Sequence, residues 1–211
     1  MTDTRAGTSR RLQREQTLEQ ILAAAVDIFA RAGFEAASLA DIANRAGVKK
    51  ALVQYHFSTK EQLWKAAASH LWQQRNAHMA RFIADLNEGD ANGRIRQSFT
   101  ALVEFSRANP QWIWFMFHEA AASGERLQWL VDNCLRDDYR RGEAFVRQSQ
   151  DRGLLRRGPP QQILHLISGA LVYNLLVAPA TLLGTGVDLA SEEAIAQQVR
   201  LLQEMLAAPQ R

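Results

Sequence analysis

The chain has 211 residues, of which 47% are apolar and 22% charged. That is enough for one sizeable core or two modest ones, and it excludes a disordered or fibrous polymer. A single cysteine, Cys134, rules out intrachain disulfides and a disulfide-stapled secreted fold, and points to a reducing cytoplasm. The net charge is only +3, yet residues 1 to 60 hold nine Lys and Arg against six acids, while the remainder balances at sixteen of each. The excess that would release counterions from nucleic-acid phosphates therefore sits near the N-terminus.

Residues 1–13 are polar and Arg-containing, with Arg5, Arg10 and Arg11 followed by Arg14. They read as a flexible basic arm able to reach phosphates or a minor groove, and as neither a signal peptide nor a membrane anchor. A helix over about 13 to 33 follows, with Leu18, Ile21, Leu22, Ala25, Ile28, Phe29 and Ala32 as its apolar stripe and Gly33-Phe34 closing it. Ser38 is an N-cap residue with Asp41 three positions on, and Leu39, Ile42, Ala43 and Ala46 recur at helical spacing. Gly47 offers the left-handed conformation that ends that helix. A second short helix, about 49 to 55, has Val48, Leu52 and Val53 as its expected buried side. Lys49, Lys50, Ala51, Gln54 and Tyr55 lie outside. A small Ala43 suits two helices crossing steeply over a short turn, so 37–56 reads as a helix-turn-helix whose outer face bears two lysines, an amide, a phenol and an imidazole.

Downstream, Tyr55-His56-Phe57-Ser58-Thr59-Lys60-Glu61-Gln62-Leu63 ends one helix and caps the next. The order of apolar helix, Gly-aromatic, Ser, helix, Ala-Gly-Val, helix, aromatic-His-Phe and Lys-Glu-x-Leu resembles the N-terminal module of the TetR family of transcriptional regulators over about residues 14 to 74. The chain departs from many members in carrying Lys49 where a Ser or Thr is common and Ala51 where a Gly is common, which bears on which bases are read. The resemblance implies an all-α protein: a DNA-binding domain at 14–74, and a C-terminal effector-binding and dimerisation domain at 75–211. It implies a sequence-specific repressor released from a (pseudo)palindromic operator by a small molecule. Lys49, Lys50, Ala51 and Gln54 are assigned to base edges, Gln54 by its amide geometry to adenine. Ser38, Tyr55, His56 and Lys60 are assigned to phosphates.

A long helix from Ser58 or Thr59 to about Leu86 carries Leu63, Trp64, Ala67, Leu71 and Trp72 inward and is the expected lever between the domains. After a polar break at Asn87–Gly93, helices are expected at about 93–108, at 112–120 after Pro110, and at 125–151, the second apolar nearly all round and so buried on several sides. Ile163 to Leu183 is the longest apolar stretch; His165, Ser168, Asn174 and Pro179 within it favour a buried helix over a membrane span. A last helix is capped by Ser191. Helices 161–183 and 191–207, pairing with their own copy, give a four-helix dimer contact, as two half-sites one helical turn apart require.

No enzyme constellation is present. His118-Glu119 lacks the second histidine of a zinc-protease helix, and there is no Cys-x-x-Cys, phosphate loop or nucleophile elbow, so neither cofactor nor metal is expected. Cys134 reads as a packed small hydrophobe. Trp112, Phe115, His118, Trp129, Tyr139, Tyr173 and Asn174 supply wide rings with a few polar groups, the chemistry of a small-molecule pocket, and the resemblance places such a pocket among the C-terminal helices. Two rival readings are an architectural DNA binder with no effector, and an enzyme with an accessory helix-turn-helix.

Overall fold

The computed structural model describes the backbone of residues 3–84 and 91–209 and the side chains of 11–81 and 92–209. It is all-α: α1 Asp3–Ala36, α2 Leu39–Ala46, α3 Lys50–His56, α4 Lys60–Ala84, α5 Ala91–Ala108, α6 Pro110–Ala122, α7 Glu125–Leu130, a π-helical turn Val131–Leu135, α8 Arg136–Asp151, α9 Pro160–Thr185 and α10 Glu192–Leu206. Among the described residues the one departure is an isolated antiparallel bridge, Leu155 to Ala207, which ties the loop after α8 to the end of α10. Two units emerge: residues 1–72 with 114–130, and 73–113 with 131–211.

In the first unit α1 packs on α2 and α2 on α3. The expected arm is helical from Asp3, continuous with α1. Arg10 to Glu15 are good helix formers, and Arg11 pairs with Glu15 one turn on at 2.9 Å. The side chains of Arg5 and Arg10 lie outside the described residues. Ile21, Ala25 and Phe29 are buried as the stripe predicts, but Ala32 is exposed.

Gly33 interrupts α1 at φ 72°, ψ 172°, a conformation open almost only to glycine. A Cβ there would also approach His118 Nδ1 to 3.3 Å. Gly33→Ala is therefore expected to cost about 1–3 kcal/mol, read as a lowered urea midpoint; an unchanged midpoint would mean that the kink is not required.

In the second unit the core is built by α5, α8, α9 and α10 around Ile95, Phe99, Val103, Val146, Ile163, Ile167, Leu171, Ile195, Val199 and Leu202. Helical spacing predicts these positions as inward, but Leu166 and Ala170 of α9 and Met205 of α10, expected on the same sides, are exposed. The helix expected as continuous over 125–151 instead widens into the π turn at Val131–Leu135. The break expected at Asn87–Gly93 lies outside the described residues up to Asp90, and α5 already begins at Ala91.

Burial expectations also fail in α6 and α9. In α6, Trp112, Ile113 and Phe115 are buried, but Trp114 and Phe117 are about half exposed, so the helix is not enclosed all round. In α9, the most apolar window, of mean hydropathy 1.8, is only 22% buried within the chain; by length and composition alone this helix would suffice to cross a membrane. Pro179 sits inside α9 without ending it.

Candidate nucleic-acid interface

Ser38 caps α2, its hydroxyl accepting from Asp41 N at 3.1 Å and donating to Asp41 Oδ2 at 2.6 Å. The helix ends as Gly47 turns left-handed (φ 68°), with Val48 N donating to Ala43 O at 3.0 Å and Gly47 N to Asn44 O at 3.2 Å. This pair of bonds is a Schellman ending, which satisfies the last carbonyls and directs the chain into α3. Ile42, Ala43 and Val53 are fully enclosed, so α3 is held by one side only. Asp27, 7% exposed, accepts from Arg31 Nε at 2.8 Å and from Arg45 Nε at 2.9 Å, fixing α2 against α1. An acid set among Val26 and Ile28 was the signal for it, and the sequence reading passed it over.

On the free side of α3, Lys49, Lys50, Ala51 and Gln54 are exposed and Tyr55 is 75% exposed. His56 is half-buried and meets Tyr55 edge-on at 5.4 Å. Leu52, expected inside, is exposed instead, at the edge of a shallow groove with Gln13, Arg14, Thr17, Tyr55 and His56. A seven-residue helix offers room for one fully buried side chain, and Val53 takes it. Tyr55 and His56, both able to meet phosphates, share this groove with Arg14 of α1.

Lys60 needs correction. Its ammonium donates to the carbonyls of Phe34 (2.8 Å), Glu35 (3.2 Å) and Ala37 (3.1 Å), and it lies over the Phe34 ring at 4.5 Å. With three donors committed to the end of α1, it is a C-terminal cap for that helix; a phosphate would have to displace carbonyls. The Ser38 hydroxyl is likewise occupied by its cap.

The seven residues expected to line one ligand pocket do not do so. Phe115, His118 and Trp129 belong to the first unit. There Phe115 and Trp129 pack on Trp64, and His118 Nε2 lies 3.1 Å from Ala30 O. Trp112, Tyr139, Tyr173 and Asn174 belong to the second. Trp112 is core beside Phe105, Tyr139 faces His165 at 5.7 Å, and Tyr173 is mostly exposed. Most of the rings are taken up by packing and Tyr173 is left largely to solvent, while Asn174 borders a concavity. That concavity is a 490 Å³ groove along α9 and α10, walled by Ile163, Leu166, Ala170, Leu201 and Met205 and flanked by Arg156 and Arg157.

A second concavity in this unit, 230 Å³, lies among α4, α5, α8 and α9. Its wall carries Arg75, whose Nη1 donates to Asp138 Oδ2 at 2.6 Å, both side chains being largely buried. Burial pushes the Arg75 guanidinium below its usual range, against the opposing pull of Asp138. Arg75 continues the buried stripe of Ala68, Leu71 and Trp72, and a charge on such a stripe was a legible sign of a polar contact.

Cys134 is buried in the π turn, and desolvation, helped by the Asp138 charge, pushes its thiol up to about 11. At pH 8 only about one thiol in a thousand is thiolate, so iodoacetamide followed by mass spectrometry is expected to label the folded chain at least tenfold more slowly than the urea-unfolded one. Equal rates would contradict the burial. Among the described residues no cluster of His, Cys, Asp and Glu could hold a metal.

Residues 21–77 match the family model described as bacterial regulatory proteins, tetR family. The chain is 46% identical over 71 residues to the HTH-type transcriptional repressor Rv3405c of Mycobacterium tuberculosis, covering 32% of this chain and 38% of that protein. It is 30% identical over 114 residues to the HTH-type transcriptional activator FasR of Mycolicibacterium smegmatis, covering 50% and 49%. The matches thus span half or less of these curated relatives. A crystal structure of a TetR family transcription regulator from Marinobacter aquaeolei VT8 shares the fold, with a TM-score of 0.72 over 94% of this chain and 100% of that one at 18% identity.

Proposed function

For a chain that belongs, through its N-terminal domain, to the TetR family of bacterial regulatory proteins, we propose the role of a cytoplasmic, homodimeric, sequence-specific DNA-binding repressor released by a small-molecule effector. The observation that carries the reading is the outer side of α3. Lys49, Lys50, Ala51, Gln54 and Tyr55 are all solvent-exposed on a helix whose opposite side is anchored by Val53. Gln54 and the two lysines meet base edges, and Tyr55 and His56 meet phosphates, with Ser38 contributing through the amides at the start of α2.

Dimerisation is assigned to α9 and α10. Leu166 (60% exposed), Tyr173, Leu201 and Met205 (62% exposed) form an apolar surface on these two helices, more than a soluble monomer ordinarily leaves to water. A second copy packed there across a two-fold axis makes a four-helix contact and brings two α3 helices into play. Effector binding in the C-terminal unit favours a dimer whose readers are misplaced for DNA, with α4 as the lever, and the shift is bounded by the ligand's differential affinity for the two forms. The domain boundary near residue 74 is part of the same proposal.

Selection of bound duplexes from a random pool tests the reading. Two related half-sites centred about 34–36 Å apart are expected, bound at least about 10³-fold more tightly than random DNA. A ratio near one would favour the architectural binder. Of the two relatives above, one is named a repressor and the other an activator; a reporter driven through the selected site, silenced by the chain and restored by effector, supports repression, and the opposite response overturns it.

A further inference from the structure

The 230 Å³ cavity of the second unit combines two kinds of wall. Met79, Phe99, Leu102, Phe145, Leu164 and Ile167 make most of it apolar. Against them stand two guanidinium groups, Arg75 and Arg141, and one carboxylate, Asp138, which accepts from both, at 2.6 Å from Arg75 and 2.8 Å from Arg141. The lining therefore carries one positive charge more than it neutralises. Arg75 is the inner of the two arginines, its side chain 15% exposed, while Arg141 stands at 63%. Among the described residues, Arg75 Nε is buried without a hydrogen-bond partner, although its Nη1 reaches both Asp138 and Asn76 Oδ1. A buried guanidinium N–H left unmade is costly, and an arginine is matched most completely by a carboxylate meeting two of its N–H groups side by side.

We propose that this cavity binds a small amphiphilic monocarboxylate, its apolar body between α5, α8 and α9 and its carboxylate on Arg75. Asp138, released in part by Arg75, stays paired with Arg141. The volume holds about eight atoms of water size, at ~30 Å³ each, which suits a six-carbon straight chain or a single aromatic ring. A neutral ligand leaves the surplus charge unmatched, and a cation meets a like charge across a low-dielectric wall. The π turn at Val131–Leu135 immediately precedes the α8 residues that line the cavity, and such turns recur at ligand sites. The assignment deepens the effector reading above and rests on it only for its consequence at DNA.

Calorimetry on the purified full-length chain tests it with hexanoate, benzoate and their amides. The acids are expected to bind, and the amides at least tenfold more weakly, since a charge-assisted contact is lost with little change of shape. The double variant Arg75→Gln with Asp138→Asn removes both charges together, so that none is left alone in the interior. It is expected to retain helicity and to bind acid and amide alike, because the charge that remains, on Arg141, is 63% exposed and met by water. Amides equal to acids in the unaltered chain, no binding by any of the four, or a preference surviving in the double variant would overturn the proposal. Operator affinity is measured separately: acid bound with no release of DNA supports the site's chemistry and counts against the effector reading, whereas release by another compound in a chain blind to all four counts against the site alone.

Discussion

Trp64→Ala is expected to lower the stability of the N-terminal unit by about 3–5 kcal/mol, about a fifth or more of what a typical domain has to lose. Trp64 is 1% exposed. Its ring stacks on Phe115 at 5.4 Å and meets Phe34 at 6.5 Å and Trp129 at 5.6 Å edge-on, so α1, α4, α6 and α7 all converge on it. Rings held by separate helices cannot close over a void by rotating one side chain, which places the cost at the upper part of the range for a large-to-small core change. Phe34 is also covered by Lys60 at 4.5 Å and Arg126 at 4.0 Å, and Arg126 in turn bonds the buried Glu119 at 3.1 Å. Loss of Trp64 therefore loosens the cap on α1 as well as the core. Urea unfolding followed by near-UV circular dichroism reads the effect; a loss below 1 kcal/mol would mean that these rings are not a mutual scaffold.

The second large effect concerns DNA. In a dimer, Lys49→Ala with Lys50→Ala removes four positive charges from the reading surface. A lysine ammonium at a base edge still lies in the field of the flanking phosphates; if each neutralises one of them, the slope of log affinity against log salt becomes shallower by about 3–4 units, and affinity at physiological salt falls by about 10²–10³-fold. Both lysines are exposed, and Lys49 makes no side-chain cap bond to α3, so stability should be nearly unchanged. Fluorescence anisotropy on the selected duplex across a salt series separates these terms. A weakened affinity with an unaltered slope would leave the lysines at base edges without a share in phosphate neutralisation, and an unaltered affinity would remove them from the interface.

Much of this was written locally in the chain. The α2 cap at Ser38, the left-handed Gly47 and the enclosure of Ile42, Ala43 and Val53 follow from residues that all lie between Ser38 and Val53, where propensity and spacing act directly. What failed depended on distant partners. Lys60 was read as a phosphate contact because lysine beside a helix start suggests one, but the carbonyls that take it lie 23 to 26 positions earlier, and nothing local announces them. The aromatic pocket failed for a related reason: helical spacing shows which rings are apolar, not whether they face ligand, core or solvent, and Phe115 and Trp112 came to lie in the cores of different units while Tyr173 is mostly exposed. Leu52 and the α9 surface were expected inside because they are apolar. A seven-residue helix buries only a narrow stripe, and the apolar side of α9 is wider than its own chain covers.

The central claim is that the outer side of α3 reads DNA, and Gln54 is where it is sharpest. With the selected operator and its single-base variants, Gln54→Ala is expected to cost about 1–3 kcal/mol per half-site and to abolish discrimination at one adenine in each half while leaving the other positions intact. Full discrimination retained at every position in the Gln54→Ala chain would contradict the account.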